Sequence, residues 1–314
     1  MTDTIDTGAR RSIRRAIPRL GLRRGQGAGE GLLLALPMWL VFALFFLLPL
    51  AVTLVVSFWE FTQYSIEPAF ILRNYADLFD GCIDGLPYLC TTLKTYLSTL
   101  KFCFLVWAVT LVIGFSVAYF LAFHVRSLPM QVTCFLICTI PFWTSIVIRM
   151  IAWIPLLGRN GLVNQALMGM GVTDQPLEWL LYSDFSVILA LVHLYTLFMV
   201  VPIFNSMMRI DPALIEAARD SGASGRQTLT NVVIPLARPG ILIGSIFVVT
   251  IVMGDFLTIG IMGGQQIASV GKTIQTEIQY LQFPLAAANA VLLLIAVMLA
   301  ISALLRMVDI RKEL

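Results

Sequence analysis

The chain has 314 residues, of which 59% are hydrophobic and only 12% are charged. A soluble domain usually carries about 25% charged residues, so this composition excludes an ordinary soluble domain and indicates a membrane protein. The formal net charge of +3 is too small to indicate nucleic-acid binding. The sequence has two histidines and five cysteines, with no CxxC pair and no Cys/His cluster, so no metal site is predicted.

The first segment, residues 1–30, is polar and basic and contains seven arginines. It resembles the basic start of a signal peptide, but the apolar stretch after it is too long for one. No small-residue cleavage site follows that stretch either. We therefore expect a basic tail that is retained ahead of a first membrane helix.

Long apolar runs recur along the rest of the chain, and each is near or above the roughly 20 residues that cross a bilayer. Because lipid offers the backbone no hydrogen-bond partners, such runs must be helices. The third run is the least regular, since Pro141, Trp143 and Arg149 interrupt it. The predicted fold is an all-α membrane protein with six transmembrane helices at residues 31–57, 98–123, 130–155, 186–207, 241–262 and 284–307.

The lysines and arginines lie mostly on one side of this topology, and positive residues mark the cytoplasmic side. With both ends inside, the inside segments hold the tail arginines and Arg126, Arg209, Arg219, Arg226, Arg238, Arg306, Arg311 and Lys312. The outside segments keep Arg73, Lys94, Arg159 and Lys272. We therefore expect cytoplasmic termini, including a short tail at 309–314. Cys82 and Cys90 then lie outside, where either a disulfide or free thiols are compatible with the sequence.

One inside segment, residues 208–240, differs from a simple connection. Asp211 followed by Pro212 is a favourable helix start, because Asp caps the first turn and Pro fits the first helical position. Gly222 stands where a glycine commonly ends a helix. Four side chains, mostly small, share one narrow face of this helix: Leu214, Ala217, Ala218 and Ser221. A second short helix is expected from Arg226 to Val233, ended by Pro235 and Pro239 before the next span.

This segment resembles the EAA loop of ABC-importer permeases. The family pattern is Glu-Ala-Ala, three residues, Gly, nine residues, then apolar-x-apolar-Pro. The sequence has Glu216-Ala217-Ala218, Gly222 and Val232-Val233-Ile234-Pro235 at these places. The resemblance implies the type I, MetI-like permease fold in the bacterial inner membrane, with the loop docked on a separate ATPase subunit. It implies that the coupling residues are Glu216, Ala217, Ala218, Arg219, Gly222, Ala223 and Pro235.

Three segments outside the loop resemble the spermidine/putrescine branch of these permeases, the PotB/PotH type. They are PFWTSIVIRMIAW at 141–153, GRNGLVNQAL at 158–167 and GDFLTIGIMGG at 254–264. Permeases for ferric iron, aminophosphonates and opines have similar segments, so these substrates stay open. The resemblance implies a cytoplasmic ATPase dimer that binds ATP with Mg, a periplasmic substrate-binding protein, and a second permease subunit that is a related, non-identical chain.

Of the charged residues that fall within predicted spans, Asp255 and Arg149 are the two candidates for function. Each either lines a water-filled path, or the two pair with each other. A carboxylate beside the aromatic face of Trp143 or Trp153 suits an ammonium group, which fits a cationic substrate. Glu277 is a further candidate, either for the path or for contact with the binding protein.

The segment ASVGKT, residues 268–273, resembles the end of a phosphate-binding loop. Gln266 stands where that motif requires glycine, so we expect no nucleotide site and no enzymatic activity in this chain. His193 lies within a span and is expected to form a hydrogen bond to a neighbouring helix. The rival class is a secondary transporter driven by an ion gradient. That class predicts inverted repeats, which are not evident, and it has no use for an EAA-like loop.

Overall fold

The structure is a computed structural model that describes residues 27–62, 65–80, 82, 90–125 and 127–307. For residues 27–33 it describes the backbone alone. The predictions for the N-terminal tail, for Arg126 and for the C-terminal tail therefore lie outside the described residues.

The described residues are mostly α-helical, and six helical stretches are long and apolar enough to cross a membrane. The α-helices, in chain order, are α1 (Gly27–Phe42), α2 (Leu48–Val56), α3 (Arg73–Leu78), α4 (Thr91–Phe123), α5 (Leu128–Thr139), α6 (Ile146–Leu157), α7 (Leu162–Gly169), α8 (Asp184–Met207), α9 (Pro212–Asp220), α10 (Gly225–Thr228), α11 (Ile234–Gly254), α12 (Leu257–Met262), α13 (Val270–Gln279) and α14 (Phe283–Met307).

Short irregular elements connect these helices. Two segments are π-helical, Ala43–Leu47 and Leu229–Val233, and two are 3₁₀-helical, Ile140–Trp143 and Glu178–Leu180. Strands β1 (Glu60–Phe61) and β2 (Ile66–Glu67) form an antiparallel pair in which Glu60 faces Glu67 and Phe61 faces Ile66.

The chain divides into two compact units after Val52. In the first unit, α1 passes through the π-helical turn Ala43–Leu47 into α2, and the wide turn stands just before Pro49, whose ring needs extra room. None of the described side chains from Leu34 to Val56 is buried. An apolar helix that is exposed all round requires an apolar environment, as a bilayer provides.

The core of the second unit is built where α4, α8 and α11 pack on one another. A Cβ atom at Gly114 would stand 2.8 Å from Cγ of Met199, and one at Gly244 would stand 2.8 Å from its Sδ. Such small residues let membrane helices approach closely. Trp107 donates a hydrogen bond from Nε1 to Oγ of Ser245 at 2.9 Å, which ties α4 to α11.

The third predicted span, 130–155, is wrong as a single helix. The chain is extended at Thr144 and Ser145, between the 3₁₀ turn that follows α5 and the start of α6. Pro141 removes a backbone donor from this turn. The carbonyl of Pro141 accepts a hydrogen bond from Thr144 Oγ1 at 2.9 Å, so this acceptor keeps a partner where the helix ends. The stretch of membrane-spanning length is Ile146–Gly169, which combines α6 and α7.

The fifth span begins and ends earlier than the predicted 241–262. Helical structure runs without interruption from Gly225 to Gly254, through α10, the second π-helical turn and α11. The predicted stop at Pro235 and Pro239 is therefore wrong. Pro235 falls in the first turn of α11, directly after the wide π-helical turn, and prolines are tolerated within membrane helices. The span ends instead at Asp255, before α12.

The segments between the spans are tied to the helices they join. The backbone N–H of Val270, at the start of α13, donates to Oγ1 of Thr99 on α4 at 3.0 Å. Cys82 and Cys90 form a disulfide with their Cα atoms 4.7 Å apart, just before α4 begins. The hydrogen bond holds the start of α13 against α4, and the disulfide closes the segment just before α4.

Candidate functional site

The EAA-like segment begins with a capped helix, as the sequence predicted. Oδ1 of Asp211 accepts a hydrogen bond from the backbone N–H of Ala213 at 2.9 Å, and Pro212 occupies the first helical position of α9. The cap satisfies one of the N–H groups that a helix start leaves without a partner.

The end of α9 also matches the prediction. Gly222 has φ of +82°, a left-handed conformation that favours glycine. Its N–H donates to the carbonyl of Arg219 at 2.9 Å, and the N–H of Ala223 donates to that of Ala218 at 3.0 Å. This paired arrangement closes the helix and turns the chain sharply toward α10.

The outer face of α9 is open. Glu216, Ala217 and Arg219 are exposed, and Leu214 is 48% exposed although it is apolar. Ile215, one turn before Arg219, packs instead against the core of the second unit. An exposed leucine next to small side chains is suited to contact with another protein.

A second cap in this segment was missed at the level of sequence. Ser224 and Gln227 form a capping box, in which Oε1 of Gln227 accepts from the N–H of Ser224 at 2.8 Å. The signal was present as Ser-x-x-Gln ahead of an apolar run. The box starts the long helix that reaches Gly254, so α9 is joined to the fifth span by two residue-specific caps and one tight turn.

Asp255 does not pair with Arg149, because no ion pair within 4.0 Å joins their side chains. Its carboxylate instead accepts three hydrogen bonds: Oδ2 from the Tyr195 hydroxyl at 2.5 Å and from Oγ1 of Thr258 at 2.9 Å, and Oδ1 from the N–H of Thr258 at 2.8 Å. Asp255 thus fixes the start of α12 and holds it against α8. Neither Tyr195 nor Thr258 carries a charge, so neither was predicted.

His193 contacts a neighbouring helix, as predicted: its Nδ1 accepts a hydrogen bond from Nε1 of Trp153 on α6 at 3.2 Å. Arg149 is within electrostatic range of both His193 and Tyr195. Its Nε atom is buried, and the guanidinium forms no hydrogen bond or ion pair with any described residue. Within the spans, Arg149 is therefore a cation without a counter-ion from the described chain.

A cavity of about 430 Å³ lies between α4, α5, α6 and α8, next to this cation. Its walls are mainly apolar, and its polar lining residues include Arg149, His193, Trp153 and Thr196. Asp255 does not line it, nor does Trp143, which is 81% exposed. The structure thus separates the predicted path residues into two groups: Arg149 with Trp153, and Asp255 with its own hydrogen-bond donors.

Glu277 lies apart from both groups, on α13. It is 9% exposed, and its Oε1 accepts a hydrogen bond from Nδ2 of Asn289 on α14 at 2.7 Å, while Oε2 has no partner among the described residues. Burial raises the pKa of the Glu277 carboxyl, and the Asn289 hydrogen bond offsets part of that rise. So deep a carboxylate is poorly placed to contact an external protein. It lines a more polar cavity of about 490 Å³ instead.

The near-match to a phosphate-binding loop is the start of a helix. Oγ of Ser269 accepts a hydrogen bond from the N–H of Lys272 at 3.2 Å and so caps α13. Lys272 in turn donates to Oε1 of Gln275 at 2.9 Å. The lysine of the supposed motif is therefore engaged within its own helix.

Comparison with known proteins relates this arrangement to transport systems. The family model described as binding-protein-dependent transport system inner membrane component matches residues 111–312. The chain is 33% identical over 261 residues to the spermidine/putrescine transport system permease protein PotB of Escherichia coli strain K12, covering 82% of this chain and 89% of that protein. It is 31% identical to PotB of Haemophilus influenzae, covering 76% and 79%.

A solved structure has the same fold. It is a bacterial alginate ABC transporter in complex with an alginate pentasaccharide-bound periplasmic protein. The match covers 89% of this chain and 94% of that one, with a TM-score of 0.66 at 18% identity. Identity this low supports the shared fold and nothing about the substrate.

The six apolar spans, the EAA-type loop and these relatives define the membrane-spanning permease of an ABC importer, a non-catalytic multi-pass subunit of the bacterial inner membrane. This confirms the class predicted from the loop. The chain belongs to the family of binding-protein-dependent transport system inner membrane components. ABC-importer permeases of this kind work with an ATPase and a substrate-binding protein.

Proposed function

We propose that this chain forms part of the import path for a polyamine such as putrescine or spermidine. The observation that carries the proposal is the identity of 33% to PotB, a spermidine/putrescine permease, across 89% of its length. Shared sequence over almost the whole subunit includes the spans that would meet the substrate. An acidic residue at the end of the fifth span, Asp255, is consistent with a cationic cargo.

The working complex contains more than this chain. It comprises a second, related but non-identical permease subunit, a cytoplasmic dimer of ABC ATPase subunits and a periplasmic substrate-binding protein. ATP with Mg binds the ATPase and not this chain. An exposed apolar first helix and a cavity with an unpaired cation both support a subunit that is completed by another membrane protein.

In this complex α9 transmits the movement of the ATPase to the spans. Its open face, with Leu214, Glu216 and Ala217, lies in a groove of the ATPase subunit. Motion then passes through the turn at Gly222 and the capping box into the helix that ends at Gly254. Arg219, Ala223 and Pro235 belong to the same coupling segment: Arg219 is exposed, while Ala223 and Pro235 are half-buried.

Asp255 contributes negative charge to the path. The hydroxyl of Tyr195 and the two donors of Thr258 orient its carboxylate without neutralising it, so it still attracts an ammonium group. Trp143 and Glu277 remain part of the proposal as aromatic and acidic groups along the route, whereas Trp153 lines the cavity beside Arg149. Trp153 is held by His193, so Trp143 is the freer of the two aromatic faces.

The test is ATP hydrolysis by the whole complex reconstituted in lipid nanodiscs with its binding protein. Putrescine or spermidine should stimulate hydrolysis, whereas ferric iron, an aminophosphonate or an opine should not. Omission of the binding protein is the control and should abolish the stimulation. Stimulation by one of the other three compounds, with none by a polyamine, would contradict the proposed cargo.

A further inference from the structure

Arg149 is a cation in a membrane span without a counter-ion among the described residues. Its Nε is buried without a hydrogen-bond partner, and the side chain lines the 430 Å³ cavity. Lys101, in α4, gives the contrast, since Asp184 at the start of α8 forms an ion pair with it. A membrane cation commonly pairs with an acidic group or with backbone carbonyls. Among the described residues there is such a partner for Lys101 and none for Arg149.

The polar groups that line the cavity are mainly hydrogen-bond donors. Nδ1 of His193 accepts the N–H of Trp153, so in the neutral ring the other nitrogen, Nε2, carries the proton and donates. Together with the Arg149 guanidinium, this makes at least two donors. The lining contains no Asp or Glu side chain. The group that complements this cavity is a small anion with two acceptor oxygens, such as a carboxylate, which binds a guanidinium in a bidentate manner.

Three occupants compete for the cavity, and the observations favour one. A polyamine carries no anion, so it would be repelled by Arg149. A lipid head group is strongly hydrated and would have to leave water to enter a cavity between α4, α5, α6 and α8 whose walls are mainly apolar. A carboxylate on a neighbouring membrane helix remains. The same helix presents Ile148 and Ile151, which are 65% and 54% exposed, so α6 has an apolar face for such a neighbour to cover.

We infer that Arg149 is the docking point for an aspartate or glutamate side chain on a membrane helix of the second permease subunit. The inference rests on the proposed two-permease complex. The partner carboxylate enters the cavity between α6 and α8 and accepts hydrogen bonds from Arg149 and His193. A second cavity of about 240 Å³, which shares Phe142 and Leu197 with the first, continues the groove along α8 for the rest of the partner helix.

The test measures assembly without any substrate. The tagged chain is co-expressed with the second permease and the ATPase, and the ratio of the two permeases is measured after purification in detergent. Arg149→Lys, which keeps the charge, should retain the partner. Arg149→Glu should lower the ratio by about tenfold or more, because it places two carboxylates together at a buried site. Replacing one membrane Asp or Glu of the second permease by Arg should then restore the ratio.

Lys101→Met is the matched control, because it removes a span cation whose counter-ion lies in the same chain. The ratio of the two permeases in Lys101→Met should equal that of the wild type. A loss as large as that in Arg149→Glu would overturn the inference. Wild-type assembly by Arg149→Glu would overturn it too. The inference would also be overturned if no replacement of a membrane Asp or Glu by Arg in the second permease restored the ratio. This holds provided that Arg149→Glu alone elutes as a single species like the wild type.

Two other occupants have distinct signatures in Arg149→Met. An intact complex that has lost a co-purifying anionic phospholipid would assign the cavity to lipid. An intact complex with a changed set of stimulating substrates would assign it to the path. Either result overturns the inference. Failure of the polyamine proposal can be told apart from failure of this inference. The wild-type complex would then show no stimulation of ATP hydrolysis by a polyamine, while the ratio of the two permeases stayed unchanged.

Discussion

Asp255 has two roles that different substitutions separate. Its carboxylate accepts the N–H of Thr258 in the first turn of α12, and in the proposed function it also places negative charge near the path. Asparagine keeps an acceptor oxygen for Thr258 and removes the charge, whereas alanine removes both. The residue therefore allows a test of its electrostatic role that does not disturb the start of the helix.

We expect Asp255→Asn to lower the initial rate of polyamine uptake by about tenfold at limiting substrate, because the cation loses an attraction on the order of 1.4 kcal/mol. Assembly should be unchanged. Asp255→Ala should in addition lower thermal stability, by roughly 1 kcal/mol for the lost cap. Uptake of labelled putrescine and the melting temperature of the purified complex measure the two effects. Unchanged kinetics in Asp255→Asn would remove this carboxylate from the path.

Glu277 makes stability depend on pH. Burial raises its pKa above the ordinary value of 4.5, so in the window above 4.5 the folded state binds more proton than the unfolded state. Stability therefore falls as pH rises through this window, and the loss is complete above the pKa of the folded state.

Glu277→Gln removes this titration and keeps an acceptor oxygen for Asn289. We expect its melting temperature in detergent to exceed that of the wild type near neutral pH, with the difference shrinking as pH is lowered toward 4.5. Melting curves at a series of pH values measure the effect. Asp174→Asn, at an exposed loop position, is the control and should show no such trend. A difference that grows on acidification would contradict the assignment.

At the scale of elements, the sequence predicted α9 well and the breaks in the spans poorly. Both ends of α9 depend on local chemistry that is visible in the chain: Asp-Pro at the start and a left-handed glycine at the end. The breaks at Thr144–Ser145 and at Asp255 lie in apolar runs whose composition is the same on both sides. The break at Asp255 is accompanied by a contact with another helix, the hydrogen bond from the Tyr195 hydroxyl, which no local pattern records. The break at Thr144–Ser145 follows Pro141, which the sequence marked only as an irregularity within one run.

The π-helical turn before Pro235 shows why a proline was misread as a stop. Pro235 lacks an N–H and would normally end a helix. A preceding wide turn provides room for the ring, and the surrounding lipid favours any helix over an open backbone. Sequence rules drawn from soluble helices therefore placed the start of the fifth span too late, although they found its apolar centre.

Gly222 gives the prediction for the coupling element. A Cβ atom there meets nothing within 4 Å, so a side chain fits sterically, while φ of +82° makes most residues strained. Asn and Asp tolerate this conformation better than other residues. We expect Gly222→Asp to abolish ATP-driven uptake while the protein stays in the membrane, because it adds a charge to the docking face.

Gly222→Asn separates the charge from the strain and should retain more uptake than Gly222→Asp. Gly225→Ala is the positional control, since that site is also open, its φ is ordinary and it begins α10. Uptake and membrane abundance are measured for all three variants. Wild-type uptake by Gly222→Asp would remove this turn from the coupling role.

For the whole molecule, one chain contains only part of a transporter. Its core joins α4, α8 and α11 through glycines, yet none of the described side chains from Leu34 to Val56 is buried and a cavity holds a cation without a described counter-ion. Hydropathy predicted the six spans because their length and composition are intrinsic. The surfaces that await a partner, the first helix and the cavity at Arg149, were not predictable. They depend on which faces of the helices remain free after this chain has packed.

The orientation of the whole molecule is a prediction from its basic residues and has a direct test. Cytoplasmic termini would place α9 inside and the segment before α8 outside. In a chain whose free cysteines, Cys103, Cys134 and Cys138, are replaced, exposed reporter cysteines are introduced at Ala217 or Asp174. The disulfide pair stays, because it doesn't react with maleimides.

An impermeant maleimide should label Asp174→Cys in intact cells and Ala217→Cys only after lysis. Labelling of both in lysed cells shows that both sites are reactive. The reverse pattern in intact cells would invert the topology. It would also remove α9 from the ATPase, because the coupling loop and ATP must share the cytoplasmic side.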